Sequence, residues 1–120
     1  MIKMPSLMHV AVRTNDISTF KEYLLHDNNL KDSQAEDGTS ILMYAIECNK
    51  IEIVKLLLES GADVNEPNFA GHTALMIACN KENYNIVKLL VESDANINLA
   101  NGNGNTALIF ASRKDRKSVV

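Results

Sequence analysis

The stretch Ile53-Val54-Lys55-Leu56-Leu57-Leu58-Glu59-Ser60-Gly61-Ala62-Asp63-Val64-Asn65 returns thirty-three residues later as Ile86-Val87-Lys88-Leu89-Leu90-Val91-Glu92-Ser93-Asp94-Ala95-Asn96-Ile97-Asn98. The same spacing joins Gly38, Gly71 and Gly104. A fixed period of this length is the signature of a stacked array of supersecondary units. Units in such an array meet only their neighbours, so the molecule offers an extended surface and rarely a catalytic cleft. What the array binds becomes the question.

Helical periodicity organises each unit. Ile53, Val54, Leu57 and Leu58 fall on one stripe, and Glu52, Lys55 and Glu59 lie on the opposite side. Gly61 is expected to end that helix in the left-handed conformation, where a Cβ would be penalised. Asp94 occupies the same place one period on and is expected to carry strain there. A second helix per unit is small and apolar, with Leu42 and Ala45, Leu75 and Ala78, Leu108 and Ala111. Ser40, Thr73 and Thr106 precede these short helices, where a hydroxyl accepts from an otherwise unpaired amide. Asn65-Glu66-Pro67-Asn68 and Asn98-Leu99-Ala100-Asn101-Gly102 read as turns. The unit is helix, turn, helix, then a projecting loop.

These units resemble the ankyrin repeat family. Its pattern is carried by Gly38-Thr39-Ser40-Ile41-Leu42-Met43-Tyr44-Ala45 through Asn65, and again by Gly71-His72-Thr73-Ala74-Leu75-Met76-Ile77-Ala78 through Asn98. Gly104-Asn105-Thr106-Ala107-Leu108-Ile109-Phe110-Ala111 opens a further copy. Ser6-Leu7-Met8-His9-Val10-Ala11 opens a looser one, thirty-four residues before its successor, with Phe20, Tyr23 and Leu24 on its second helix. The resemblance implies an all-α ankyrin-repeat solenoid of helix-turn-helix units with projecting β-hairpin-like loops. It implies a single domain over residues 1–120, with repeats near 4–34, 35–67, 68–100 and an incomplete 101–120. The family's Thr-Pro-Leu-His tetrapeptide keeps its histidine only as His9; Met43, Met76 and Ile109 replace it, and Leu7, Ile41, Ala74 and Ala107 replace the proline. These repeats should therefore depend more on apolar packing between loops, and be less stable than an idealised array.

Composition narrows the function classes. A chain of 120 residues with 46% hydrophobic content suits one folded domain. Its formal charge of −3 gives no electrostatic ground for a nucleic-acid partner. Apolar runs stay far short of a bilayer span, and Met1-Ile2-Lys3-Met4-Pro5-Ser6 is too short an apolar start for a secretory signal. A cytoplasmic protein is expected, with no membrane contact. Cys48 and Cys79 read as reduced thiols, Cys48 facing the groove by resemblance to the family and Cys79 more buried. His9, His26 and His72 share no ligand spacing with them, so neither metal nor cofactor is expected, and neither reductant nor chelator should alter folding.

Other motifs are weaker. Gly102-Asn103-Gly104-Asn105 looks like a nucleotide-binding glycine loop, but Ala107 stands where a third glycine belongs and no strand precedes it; a hairpin tip is the better reading. Asp16 and the pair Glu36-Asp37 read as helix-start and surface acids rather than an acid/base pair. The run Arg113-Lys114-Asp115-Arg116-Lys117 reads as a solvated helix connection. Ser118-Val119-Val120 falls in register with Glu52-Ile53-Val54, so a second helix should begin there, and the chain reads as a piece of a longer array. Leu108, Ile109 and the Val119-Val120 pair would then favour weak self-association of an otherwise monomeric chain.

The expected function is that of a non-catalytic protein-binding module, with regulation of a longer enzyme or channel as the alternative. By resemblance to the family, contacts come from loop tips and from residues just after the first helices. In the second repeat these are Glu36, Asp37, Thr39, Glu47 and Cys48; in the third, Phe69, Ala70, His72, Asn80 and Lys81; in the fourth, Asn103, Asn105, Arg113 and Lys114. Phe69, among turn formers, is either a projecting anchor with His72 and Lys81 as its rim, or a shield folded back over Leu99.

Overall fold

In the computed structural model, residues 4–26 and 34–119 are described, with side chains for 8–26 and 34–113. Seven helices lie among them: α1 (Met4–Arg13), α2 (Ile17–His26), α3 (Ile41–Glu47), α4 (Ile51–Glu59), α5 (Ala74–Asn80), α6 (Tyr84–Glu92) and α7 (Ala107–Val119). The first helices of successive units, α1, α3, α5 and α7, stack in one layer, and α2, α4 and α6 stack in a second. The result is elongated, 46 × 25 × 25 Å.

Packing follows from the helical stripes. Ile53, Val54 and Leu57 of α4 are fully buried, as are Ile86 and Leu90 of α6, and Glu52, Lys55 and Glu59 face outward. Ala45 and Ala78 are also fully buried, and their short side chains let neighbouring first helices approach. Met43 and Met76 fill the space that the family's histidine would take, with exposures of 0% and 1%. Each such methionine contributes roughly 1.5–3 kcal/mol on burial. The Lys55–Glu52 ion pair, 3.9 Å long and exposed, adds little.

Caps and left-handed residues set where each helix starts and stops. Ser40 Oγ accepts from the Met43 amide (3.1 Å) and Thr73 Oγ1 from that of Met76 (3.3 Å). At Thr106 it is the carbonyl that accepts, from Ile109 and Phe110. Asp16 Oδ1 receives the Thr19 amide at the start of α2, and Asn83 Oδ1 receives that of Ile86 at the start of α6. First helices end on left-handed Asn15, Asn49 and Glu82, and second helices on Gly61 and Asp94. Asparagine tolerates this region; glutamate does so poorly.

The fourth unit departs from expectation. Asp115 stands in register with Asn49 and Glu82, yet α7 runs unbroken from Ala107 to Val119, past the place where a turn and second helix should begin. A left-handed turn interrupts the helical ladder, and in the other units the packing of a second helix compensates for it. Ser118-Val119-Val120 are too few apolar positions to do so, and continuing the helix keeps its hydrogen bonds. The side chains of this segment, including the Val119-Val120 pair, lie outside the described residues.

Left-handed backbone at acidic residues makes a direct stability test. Asp94 (φ 68°) and Glu82 (φ 58°) should each gain about 1 kcal/mol on replacement by glycine, and Gly61→Asp at φ 88° should lose a similar amount. Midpoints of urea unfolding followed by helical circular dichroism check all three; unchanged midpoints would show that the backbone at these sites costs nothing.

Candidate functional site

Hairpin loops project along one edge of the stack. Gln34 pairs with Ser40, and Ala100 with Thr106, as isolated antiparallel bridges. The tip of each hairpin closes on a left-handed glycine, Gly38, Gly71 or Gly104. Asn68 Oδ1 accepts from both the Ala70 and His72 amides, and Asn101 Oδ1 from those of Asn103 and Asn105, all at 2.9–3.0 Å. Ala35 occupies that position in the second repeat; there Asp37 Oδ1 takes the Thr39 amide instead (2.9 Å). These hydrogen bonds from Thr39, to backbone first and side chain second, hold the Asp37 carboxyl below its ordinary range.

One main-chain bond ties each hairpin to the next. The Phe69 amide donates to the Asp37 carbonyl (3.1 Å), and that of Gly102 to the Ala70 carbonyl (3.0 Å). Side chains bridge repeats as well: Gln34 Nε2 to Glu66 Oε1, Asn83 Nδ2 to Asn49 Oδ1, and the Asn96 amide to Asn65 Oδ1. Phe69 is 78% exposed, and its ring lies over bare Gly38, where a Cβ would come within 2.7 Å of Cδ1. It rests on the preceding hairpin, while its outer face meets solvent.

Between the hairpins and the first helices runs a groove with two clefts. One, of about 390 Å³, is lined by Glu47, His72, Met76, Ile77, Asn80, Lys81 and Phe110. The other, of about 380 Å³, is lined by His9, Ala35, Asp37, Thr39, Tyr44 and Glu47. Glu47 belongs to both. Rings line the groove: His9 meets Tyr44 edge-on at 4.4 Å, His72 meets Phe110 at 5.9 Å, and the Arg113 guanidinium stands 5.9 Å from the Phe110 ring centre. Arg113 also reaches Asn105 Oδ1 at 3.4 Å.

Of the residues expected at a binding surface, Asp37, Thr39, Glu47, His72, Asn80 and Lys81 line these clefts, and Asn105 and Arg113 flank Phe110. Glu36, Phe69, Ala70 and Asn103 sit exposed on hairpin tips. Cys48 is half-buried against the core, and Lys114 lies in α7 with its side chain outside the described residues. Tyr44, Ile77 and Phe110, which the sequence reading did not select, form a row at thirty-three-residue spacing along the groove floor. That spacing was visible; the direction of the side chains was not.

The titratable groups follow their surroundings. Burial, and then nearby Cys48, pushes the Tyr44 hydroxyl up, and burial does the same to the Cys79 thiol. Cys48 and Cys79 are both free thiols. Among the described residues, no group of three or more His, Cys, Asp or Glu side chains is placed to hold a metal ion, and no helix is long and apolar enough to cross a membrane.

Two predictions follow from this geometry. Ala35→Asn should restore the missing hairpin acceptor and raise stability by about 0.5–1 kcal/mol, read as an increased unfolding midpoint. Burial, with Arg13 second, lowers the His9 pKa below its ordinary value of about 6.5. The unfolded chain therefore takes up this proton first as pH falls, and stability present above about 6.5 is lost on descent toward the folded value. Thermal unfolding should have a lower midpoint at pH 5 than at pH 7, and His9→Gln should narrow the difference. An unchanged difference in that variant would assign the pH dependence to other groups.

Comparison with known proteins agrees with this architecture. Residues 4–68 and 66–120 each match the family model for ankyrin repeats in three copies. A 70-residue segment is 33% identical to chicken inversin (Gallus gallus), covering 58% of this chain and 6% of that protein. The Arabidopsis thaliana potassium channel AKT1 is 40% identical over 63 residues, 52% of this chain and 7% of the channel. The chain thus spans a small part of these longer relatives. Among solved structures, the ankyrin repeat domain of Bcl-3, of the IkappaB protein family, superposes with a TM-score of 0.81 at 34% identity, covering 87% of this chain and 46% of that one. Repeat period, layered helices, hairpin row and these matches agree: the chain belongs to the ankyrin repeat family.

Proposed function

We propose that this chain is a non-catalytic protein-binding module that receives its partner in the groove between the hairpin row and the first helices. The observation that carries this reading is the row of Tyr44, Ile77 and Phe110 at constant spacing along the groove floor. Each is half-buried where the corresponding core positions are fully covered. A stack of helices presents these groups in fixed positions, so little ordering entropy opposes binding on this side. Hairpin tips bearing Glu36, Asp37, Phe69, Ala70 and Asn103 extend the same surface.

The partner is a protein rather than a nucleic acid, in keeping with the net charge of −3, and the setting is cytoplasmic. The chain is a monomer with weak self-association at the open end of the stack. Leu108 there is 74% exposed, whereas Leu75, one period earlier, is 3% exposed. A second reading is regulatory: the array serves a longer enzyme or channel whose other parts carry the activity. The small share of inversin and AKT1 that the chain spans favours it. Sequencing the coding region beyond Val120 distinguishes the two.

Affinity capture followed by mass spectrometry tests the groove. Tyr44→Ala combined with Phe110→Ala should remove the captured partner while leaving the helical spectrum intact, and Lys55→Ala on the outer helix layer should not. Phe69→Ala should weaken binding by about 2 kcal/mol, the usual threshold for a dominant anchor, with little change in melting midpoint. Equal capture by the groove double variant and the unaltered chain would place the contact surface elsewhere.

A further inference from the structure

The groove carries a charge gradient in the repeat register. Glu47, Asn80 and Arg113 occupy one and the same place in successive units, so the groove wall reads negative, neutral, positive along the stack. A second frame reinforces it: half-buried Cys48 is followed one period later by exposed Lys81. The hairpin side agrees, because Asp37 and Glu47 line the cleft nearer α1, whereas Lys81 lines the cleft nearer α7. Between the two ends lies an apolar floor of Met76, Ile77 and Phe110.

We infer that the groove takes an extended segment of a protein partner in one charge order, with a basic residue against Glu47 and Asp37, a large apolar residue over Ile77 and Phe110, and an acidic residue facing Lys81 and Arg113. This rests on the groove being the binding face. Arg113 is poised for its part, since its guanidinium stands near the Phe110 ring and beside Asn105 rather than free in solvent. An acidic side chain entering above Phe110 therefore meets a guanidinium already held over the apolar site, which suits bidentate pairing. Spacing follows from the stack. Neighbouring helices pack about 8–10 Å apart, so Glu47 and Arg113 stand two such steps apart. An extended chain advances about 3.3 Å per residue. The basic and acidic residues of the segment should be separated by about five or six positions, with the apolar residue between them. A segment of the opposite order would set like charges against each other at both ends, so the gradient sets polarity as well as affinity.

Selection of random displayed peptides of about a dozen residues on the full chain, with fluorescence anisotropy of the selected peptides, tests this. The expected peptides carry the basic, apolar, acidic order at that spacing, and bind more weakly as salt rises. Glu47→Arg combined with Arg113→Glu should weaken them by about tenfold and bind best the peptides whose basic and acidic residues have been exchanged. Peptides that lose binding with Tyr44→Ala and Phe110→Ala but show no charge order, or ignore the charge-exchanged variant, overturn the inference and leave the groove as the binding face. Peptides that are wholly acidic would reduce the site to its basic end and overturn the order. No selected peptide, or peptides indifferent to Tyr44 and Phe110 as well, would sink the groove reading and this inference together.

Discussion

The whole array depends on how closely one hairpin can approach the next. A single main-chain bond, Phe69 amide to Asp37 carbonyl and then Gly102 amide to Ala70 carbonyl, repeats along the edge. It forms only because the glycine beside it has no side chain. A Cβ on Gly38 would stand 2.9 Å from the Phe69 nitrogen, and one on Gly71 2.9 Å from that of Gly102. Both glycines are also left-handed, so two separate constraints converge on one residue type. At Gly104 only the conformational demand remains, since no described atom lies within 4 Å of that Cβ position. The bond sets the offset between units, the offset aligns the first helices, and the aligned helices build the groove floor.

Much of this was legible in the residues because it is local. The apolar stripe of α4, the hydroxyl caps at Ser40 and Thr73, the left-handed ends at Gly61 and Asp94, and the hairpin tip at Gly102-Asn103-Gly104 each depend on a few neighbours in sequence. The smaller burial of Cys48 relative to Cys79 also followed from register. What escaped was non-local or cooperative. Phe69 lies over Gly38 rather than Leu99 because the preceding hairpin comes closer than sequence spacing discloses. His9 meets Tyr44 across two units. The unbroken course of α7 depends on the absence of enough apolar positions after Asp115 to repay a turn, which repeat counting alone passes over.

The candidate surface divides the same way. Hairpin tips and helix ends were accessible to family resemblance, since their backbone positions recur. The floor residues Tyr44, Ile77 and Phe110 were not, because their place in the first helix is adjacent to core positions on either side. Met43 and Met76 point into the core, and the residue after each points into the groove. A rotation of one residue, about a hundred degrees of helix, separates a packing role from an exposed one.

Since the grip between hairpins is made by main-chain atoms, it is blind to the identity of most side chains mounted on it. Tyr44, Glu47, Ile77, Asn80, Phe110 and Arg113 take no part in those bonds. Their chemistry is therefore free to drift without bending the scaffold, so shape and recognition are separately adjustable. Such a surface is evolvable in the strict sense: a new specificity can be written at six positions while the curvature of the stack is inherited unchanged.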